Sequence, residues 1–117
     1  MIVTEQKNDF LFVRFTSDLL TACDEGDIKF AMQQALATGT RNVVLSVQVG
    51  SLANHRLVSK LLRQCKEIVY RENGNLFFVE PGDAAERMYH TICDTLAIPH
   101  FDSEEKIEVE FVLQSVA

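Results

Sequence analysis

A chain of 117 residues, 47% hydrophobic and 24% charged, is long enough for one domain with one core and has an ordinary globular composition. Its net charge of −6 disfavours nucleic acid as a general partner. No apolar run approaches the roughly 18–20 residues that span a bilayer, and the opening MIVTEQKNDF lacks the basic start and apolar segment of a signal peptide. A cytoplasmic protein is expected, with residues 1–117 as a single domain.

In chain order, Ile2 to Gln6 predicts a first strand and Asn8-Asp9 a turn into a second, Phe10 to Thr16. That second strand is apolar on both faces apart from Arg14, which argues for a place inside a sheet. Ser17 to Cys23 reads as a loop. Asp24 is then positioned to cap a helix, with Asp27 at its third position, where acidic groups suit the helix dipole. Ile28, Ala31, Met32, Ala35 and Leu36 make its inner stripe, and Gly39 is suited to end it with a left-handed cap. Phe30 lies off the stripe and reads as a partly buried flanking ring rather than a partner contact.

The next stretch, residues 42–72, organises the chain. Val43, Val44 and Leu45, followed by Val47 and Val49, predict a strand covered on both faces. After a turn at Gly50 and Ser51, an amphipathic helix begins near Asn54, with Leu57, Leu61, Leu62, Cys65 and Ile68 on one stripe. Such a turn puts the helix N-terminus at the carboxyl edge of the sheet, where open α/β folds bind ligands and partners. Asn73-Gly74 marks the stop.

Leu76 to Val79 is a short buried strand ended by Glu80-Pro81-Gly82. Asp83 caps a helix with the stripe Ala85, Met88, Tyr89, Ile92 and Leu96, and Pro99 blocks its continuation. Residues 103–115 admit two readings. Asp102 with Glu105 resembles a capping box and favours a helix with Ile107 and Phe111 on one face. The alternation of Ile107, Val109, Phe111 and Leu113 fits a strand. Together these elements predict an α/β fold: an N-terminal β-hairpin joined to a mostly parallel sheet through right-handed crossovers, with about four helices packed on it.

Little in the chain points to catalysis. It holds no Gly-rich phosphate loop, nucleophile elbow or His/Glu metal signature, so no enzyme activity, cofactor or metal is expected. Cys65 and Cys93 fall in apolar stripes and read as core thiols, whereas Cys23 beside a helix start is open to reaction. His55, His90 and His100 show no metal-type spacing. His90 is on the polar side of its helix and His100 follows a proline in a loop, so both read as solvated. His55 beside Arg56 either faces solvent or, at the positive end of a helix dipole, receives an anion or a partner's carboxylate. Residues 54–72 hold five basic side chains, Arg56, Lys60, Arg63, Lys66 and Arg71, against Glu67 and Glu72. That local net of +3 leaves −9 on the rest of the chain. Arg56, Lys60 and Arg63, at i, i+4 and i+7, share one face.

The segments TGTRNVVLSVQVGSLANHRLVSKLL and GNLFFVEPGDAAERMYHTICDTLAI, in this order, resemble the STAS family, the domains of sulphate transporters and bacterial anti-sigma-factor antagonists. The family pattern is a buried strand, a turn and an Asp-Ser/Thr-Ser/Thr-Gly-Leu type motif that opens the second helix. In members that act as switches, a kinase-like anti-sigma factor phosphorylates a Ser or Thr of that motif. Phosphate there, about −1.5 to −2 charges, breaks the contact between the two proteins. Here the motif reads Asn54-His55-Arg56-Leu57-Val58: Asn54 for the Asp, His55 and Arg56 for the hydroxyl pair, Leu57 for the Gly. Ser46 stands where the family often has an Asp.

The resemblance therefore implies a non-catalytic interaction module of bacterial regulatory signalling that lacks the usual acceptor. Phosphorylation is not expected, since Ser51 and Ser59 offer a hydroxyl only in a shifted register. The implied partner surface is Asn54, His55, Arg56, Ser59, Lys60 and Arg63. The implied partner is a kinase-like anti-sigma factor or other STAS proteins, with a homodimer as a further option. Two alternatives stand beside it: a cytoplasmic accessory subunit of a membrane transporter, itself not inserted, and a small-anion or nucleotide sensor.

Overall fold

The computed structural model describes residues 2–15, 22–47, 55–80 and 86–112. Strand β1 (Ile2–Lys7) turns through Asn8, at φ 53°, into β2 (Phe10–Phe15). Helix α1 (Ala22–Ala37) leads to β3 (Asn42–Val47), α2 (His55–Arg71) to β4 (Asn75–Val79), and α3 (Glu86–Leu96) to a two-residue strand β5 (His100–Phe101). A short helix α4 (Glu104–Ile107) then widens into a π-helical turn over Glu108–Val112.

The five strands lie in sequence order. β1 is antiparallel to β2 and every later pair is parallel. Each parallel crossover steps one strand in the same direction, so right-handed connections must place α1, α2 and α3 on one face. The packing agrees. Leu11, Val13, Phe15, Val43, Leu45, Leu76 and Phe78 meet Ile28, Met32 and Leu36 of α1, Leu61, Leu62 and Cys65 of α2, and Tyr89, Ile92 and Cys93 of α3. The alternate strand residues Phe10, Phe12, Val44, Phe77 and Val79 form a second, smaller core closed by Ile107 and Phe101. A run apolar on both faces thus describes β2, β3 and β4 correctly, because helices cover one side and the C-terminal segment the other.

The three long helices end in the same way. The amide of the residue after Leu36, Tyr70 or Asp94 by three donates back to that carbonyl, and the next amide reaches the carbonyl one residue earlier. The pairs are Gly39 to Leu36 with Thr40 to Ala35, Asn73 to Tyr70 with Gly74 to Val69, and Ala97 to Asp94 with Ile98 to Cys93. The pivot residue of this Schellman turn needs positive φ, and Gly39, Asn73 and Ala97 have φ 104°, 59° and 56°. Gly74 serves a different need: a Cβ there would lie 2.5 Å from the Arg41 carbonyl oxygen.

Several expectations need correction. α1 begins at Ala22, so Ala22 and Cys23 are helical and Asp24 lies buried within the first turn rather than capping it. Phe30 is 61% exposed, because it sits on the solvent side of α1. On α2, Val58 and Val69 join the buried stripe, while Ile68 is half-buried. Of the C-terminal stretch, residues 104–112 are helical, the favoured reading, but the cap is Ser103, whose hydroxyl accepts from the Lys106 amide; Asp102 is engaged instead by the Lys106 ammonium. His100 belongs to β5, not a loop, since the Phe78 amide bonds to the Pro99 carbonyl and the Glu80 amide to that of Phe101. The expected turn at Gly50 and Ser51, the caps at Asn54 and Asp83, and Val49, Ala85 and Leu113 lie outside the described residues, as do the side chains of Val47, Leu57 and Met88. No helix among the described residues is long and apolar enough to cross a membrane.

Candidate functional site

The carboxyl ends of β2, β3, β4 and β5 form one edge of the sheet, and α2 begins there after β3. Of the residues expected at this helix start, Asn54 and Ser51 fall outside the described residues. His55 is the first residue of α2, with its side chain likewise outside them. Arg56, Lys60 and Arg63 are exposed along α2 and Ser59 is half-buried between them and the core-facing Val58 and Leu62. The helical spacing does set these three cations on one solvent-facing strip. Lys66 does not share it. Its ammonium donates to the Leu96 carbonyl at the end of α3 and lies 5.1 Å from the Tyr70 ring centre. Ser46 is buried on β3, in register with Arg14 of β2 and Val79 of β4.

A second constellation stands at the same edge, one strand over. Along β4 the side chains alternate, so Leu76, Phe78 and the following Glu80 point to the face covered by α3. Glu80 is consequently buried, its side chain only 2% exposed. In register with Phe78, His100 of β5 points to that face too. Tyr89 packs its ring 5.4 Å from that of Phe78 and so fixes α3 over the strand end, which brings its neighbour His90 down to the carboxylate. Nε2 of His90 lies 2.6 Å from Oε2 of Glu80, and Nδ1 of His100 lies 2.6 Å from Oε1. The two imidazoles are 4.6 Å apart, centre to centre. On its far side His100 turns Nε2 toward Oδ1 of Asp94, at 3.2 Å. A cavity of about 250 Å³ opens beside the cluster, lined by Glu80, His90, His100, Phe101, Asp102 and Lys106.

His90 and His100 are therefore not simply solvated, as their sequence positions suggest; they are gathered around one buried carboxylate. The signal that marks this site in the sequence is Glu80 itself, two residues beyond Phe78 on an apolar strand face. An acid at that position must be buried, and a buried carboxylate requires partners. Which partners it finds is decided by the crossover through α3.

No family model and no curated protein matches the sequence. Among solved structures, the chain is similar to the anti-sigma factor antagonist SpoIIAA in its unphosphorylated form, with a TM-score of 0.62 over 92% of this chain and 94% of that one, at 14% sequence identity. The likeness is one of fold. The described chain thus has the STAS-like architecture of SpoIIAA: an antiparallel hairpin continued as a parallel sheet, with helices as its crossovers.

Proposed function

We propose that this protein is a STAS-type interaction module of a bacterial regulatory pathway, one that docks a protein partner through the start and exposed face of α2. The observation that carries this reading is the likeness in fold to an anti-sigma factor antagonist across nearly the whole of both chains. The strip Arg56, Lys60 and Arg63 supports it, because it concentrates positive charge on an exposed helix face of an otherwise acidic chain. Charge set out in this way steers an acidic partner and fixes its orientation. The module is non-enzymatic and acts in the cytoplasm. Its partner is a kinase-like anti-sigma factor or another STAS chain. Since His55 and Arg56 stand in place of the hydroxyl pair, binding is constitutive rather than switched by phosphate at the helix start.

The test is affinity purification of the tagged protein from its source cell, beside a variant carrying Arg56→Glu, Lys60→Glu and Arg63→Glu. The proposal expects a regulatory kinase-like protein or a STAS protein with the wild type, and its loss with the variant. Retention of the same partner by the charge-reversed chain removes the basic face from the account. Co-purification of a membrane transport complex replaces the pathway with the transporter reading.

A further inference from the structure

The cluster at the end of β4 has no part in the docking surface, and its chemistry points elsewhere. Glu80 is buried, yet neither of its oxygens accepts a hydrogen bond of normal geometry. The two ring nitrogens that face it are close, at 2.6 Å, yet neither completes a hydrogen bond to it. A carboxylate so placed has lost its water without gaining well-formed replacements, which is costly. Three potential ligand atoms, one each from Glu80, His90 and His100, lie within 4.8 Å of one another.

We propose that Glu80, His90 and His100 form a binding site for a divalent transition-metal ion of the zinc class. Two imidazole nitrogens and one carboxylate oxygen are the donor set that zinc, cobalt and nickel favour, whereas magnesium and calcium prefer oxygen alone. Bonds of about 2.0–2.1 Å in tetrahedral geometry set donor atoms about 3.3 Å apart. Each imidazole nitrogen now lies 2.6 Å from its own oxygen of Glu80, and one atom from each residue lies within 4.8 Å of the others, so small side-chain rotations bring the three donors to that spacing. Both rings have room to adjust, since their side chains are 42% and 25% exposed. The adjoining cavity leaves a fourth position to water or to a ligand. Asp94 completes the arrangement. By accepting from Nε2 of His100 it selects the tautomer whose Nδ1 lone pair faces the site, the role that outer carboxylates play beside metal-bound histidines. The ligands come from the end of β4, the second turn of α3 and β5, so a bound ion ties together three elements that otherwise meet through few backbone bonds.

The test uses the full chain, freed of metal by a chelator and titrated with Zn²⁺ against a chromophoric competitor. The proposal expects one Zn²⁺ per chain and a rise in melting temperature with Zn²⁺ concentration, as for any ion that binds only the folded form. His90→Ala and His100→Ala should each weaken binding at least tenfold, Asp94→Ala about 10–100-fold, and Cys23→Ser not at all. A readout on the unmutated chain stands beside these: Co²⁺ loading should give visible d–d absorption without a thiolate charge-transfer band. Absence of stoichiometric Zn²⁺ binding, unchanged binding in both histidine variants, or a thiolate band with Co²⁺ overturns the proposal, and the cluster is then a carboxylate held between two imidazoles and nothing more. The outcome leaves the docking of α2 untouched, so the two readings fail separately.

Discussion

Arg14 and Glu104, separated by 90 positions in the sequence, meet as a fork: Nε of Arg14 lies 3.1 and 3.0 Å from the two carboxylate oxygens and Nη2 lies 2.8 Å from Oε1. The same guanidinium reaches Glu5 through Nη1 at 2.7 Å and lies 5.6 Å from the Phe12 ring centre. Arg14 is thus the one polar break in β2 because it faces the side of the sheet that the C-terminal segment covers. Lys7 repeats the arrangement one turn on, with Glu108. Between these two ion pairs Ile107 is fully buried against Phe10, Phe12 and Val44.

Truncating the fork should loosen the C-terminal segment first. Arg14→Ala is expected to cost about 1–2 kcal/mol, the range for a charge-assisted bidentate pair that is only partly shielded from water. Ile107→Ala should cost more, about 2–4 kcal/mol, since it removes the aliphatic anchor of the second core. Urea unfolding gives both values. Amide exchange should show the loss concentrated in residues 104–112 for Arg14→Ala. The pairing also has a pH signature. Arg14, ahead of Lys7, holds the Glu5 carboxyl below its ordinary value. Its contribution is present above the unfolded carboxylate pKa and disappears as acid titrates the folded form, so Arg14→Ala should flatten the acid limb of stability below about pH 4.5. An equally steep acid limb in the variant counts against the pairing.

Ala97 pivots the end of α3 at φ 56°, a conformation that costs an L-residue with a Cβ about 1–2 kcal/mol. At the equivalent positions Gly39 and Asn73 carry less strain. Ala97→Gly is therefore expected to stabilise the protein, by about 0.5–1 kcal/mol after the greater freedom of glycine in the unfolded chain is subtracted. Gly39→Ala should destabilise by a similar amount. Thermal melts of the two variants should move in opposite directions, and a lower melting temperature for Ala97→Gly contradicts the strain argument.

Cys65 and Cys93 are fully buried, and removal from water pushes both thiols up to about 12; for Cys93 the nearby Glu80 and Asp94 carboxylates add to it. Cys23 is exposed. A thiol reagent at pH 8 should therefore titrate one group in the native chain and all three after unfolding. Stability should follow the same order. Unfolded thiols ionise near pH 8.5 while the native ones keep their protons, so the native state binds more protons above that pH. Their contribution is complete below about pH 8.5 and falls as pH rises toward the native value. Cys65→Ala should make the alkaline fall shallower than in the wild type. Reaction of all three thiols in the native state overturns this.

How much of this the sequence disclosed depends on the range of the interaction concerned. The continuous apolar run Phe10–Phe15 and the helical stripe of Ile28, Met32, Ala35 and Leu36 are local patterns, and patterns of this kind disclosed the element order and the hairpin. Gly39 and Asn73-Gly74 announced two helix ends, but Ala97 carries no such mark, because its left-handed geometry goes with the docking of Ile98 into the core. β5 was illegible: two residues have no period, and only pairing with β4 makes them a strand. Asp102 and Ser103 are both good caps, and the choice between them fell to Lys106, which takes the aspartate. The basic strip of α2 was readable from spacing. The Glu80, His90 and His100 cluster was not, since its members come from a strand end, a helix and a strand whose positions are fixed only by the crossover.

The proposed placing of His55 and Arg56 where STAS switches carry a hydroxyl pair leads to a prediction about the switch. With a kinase-like anti-sigma factor and ATP, the wild-type chain should take up no phosphate over residues 51–59. Ser59 is half-buried about one turn into α2, whereas Arg56 is exposed at its start. Arg56→Ser puts a hydroxyl back at the family's acceptor position while leaving Lys60 and Arg63 in place. That variant should accept phosphate and then lose its partner, because about −1.5 to −2 charges would enter the proposed contact on the basic strip. Intact-mass measurement after kinase treatment, followed by a binding assay, separates the outcomes. Stoichiometric phosphate on wild-type Ser59 would show that the switch persists in a shifted register. Phosphorylated Arg56→Ser that still binds would mean that the start of α2 is not where the partner docks.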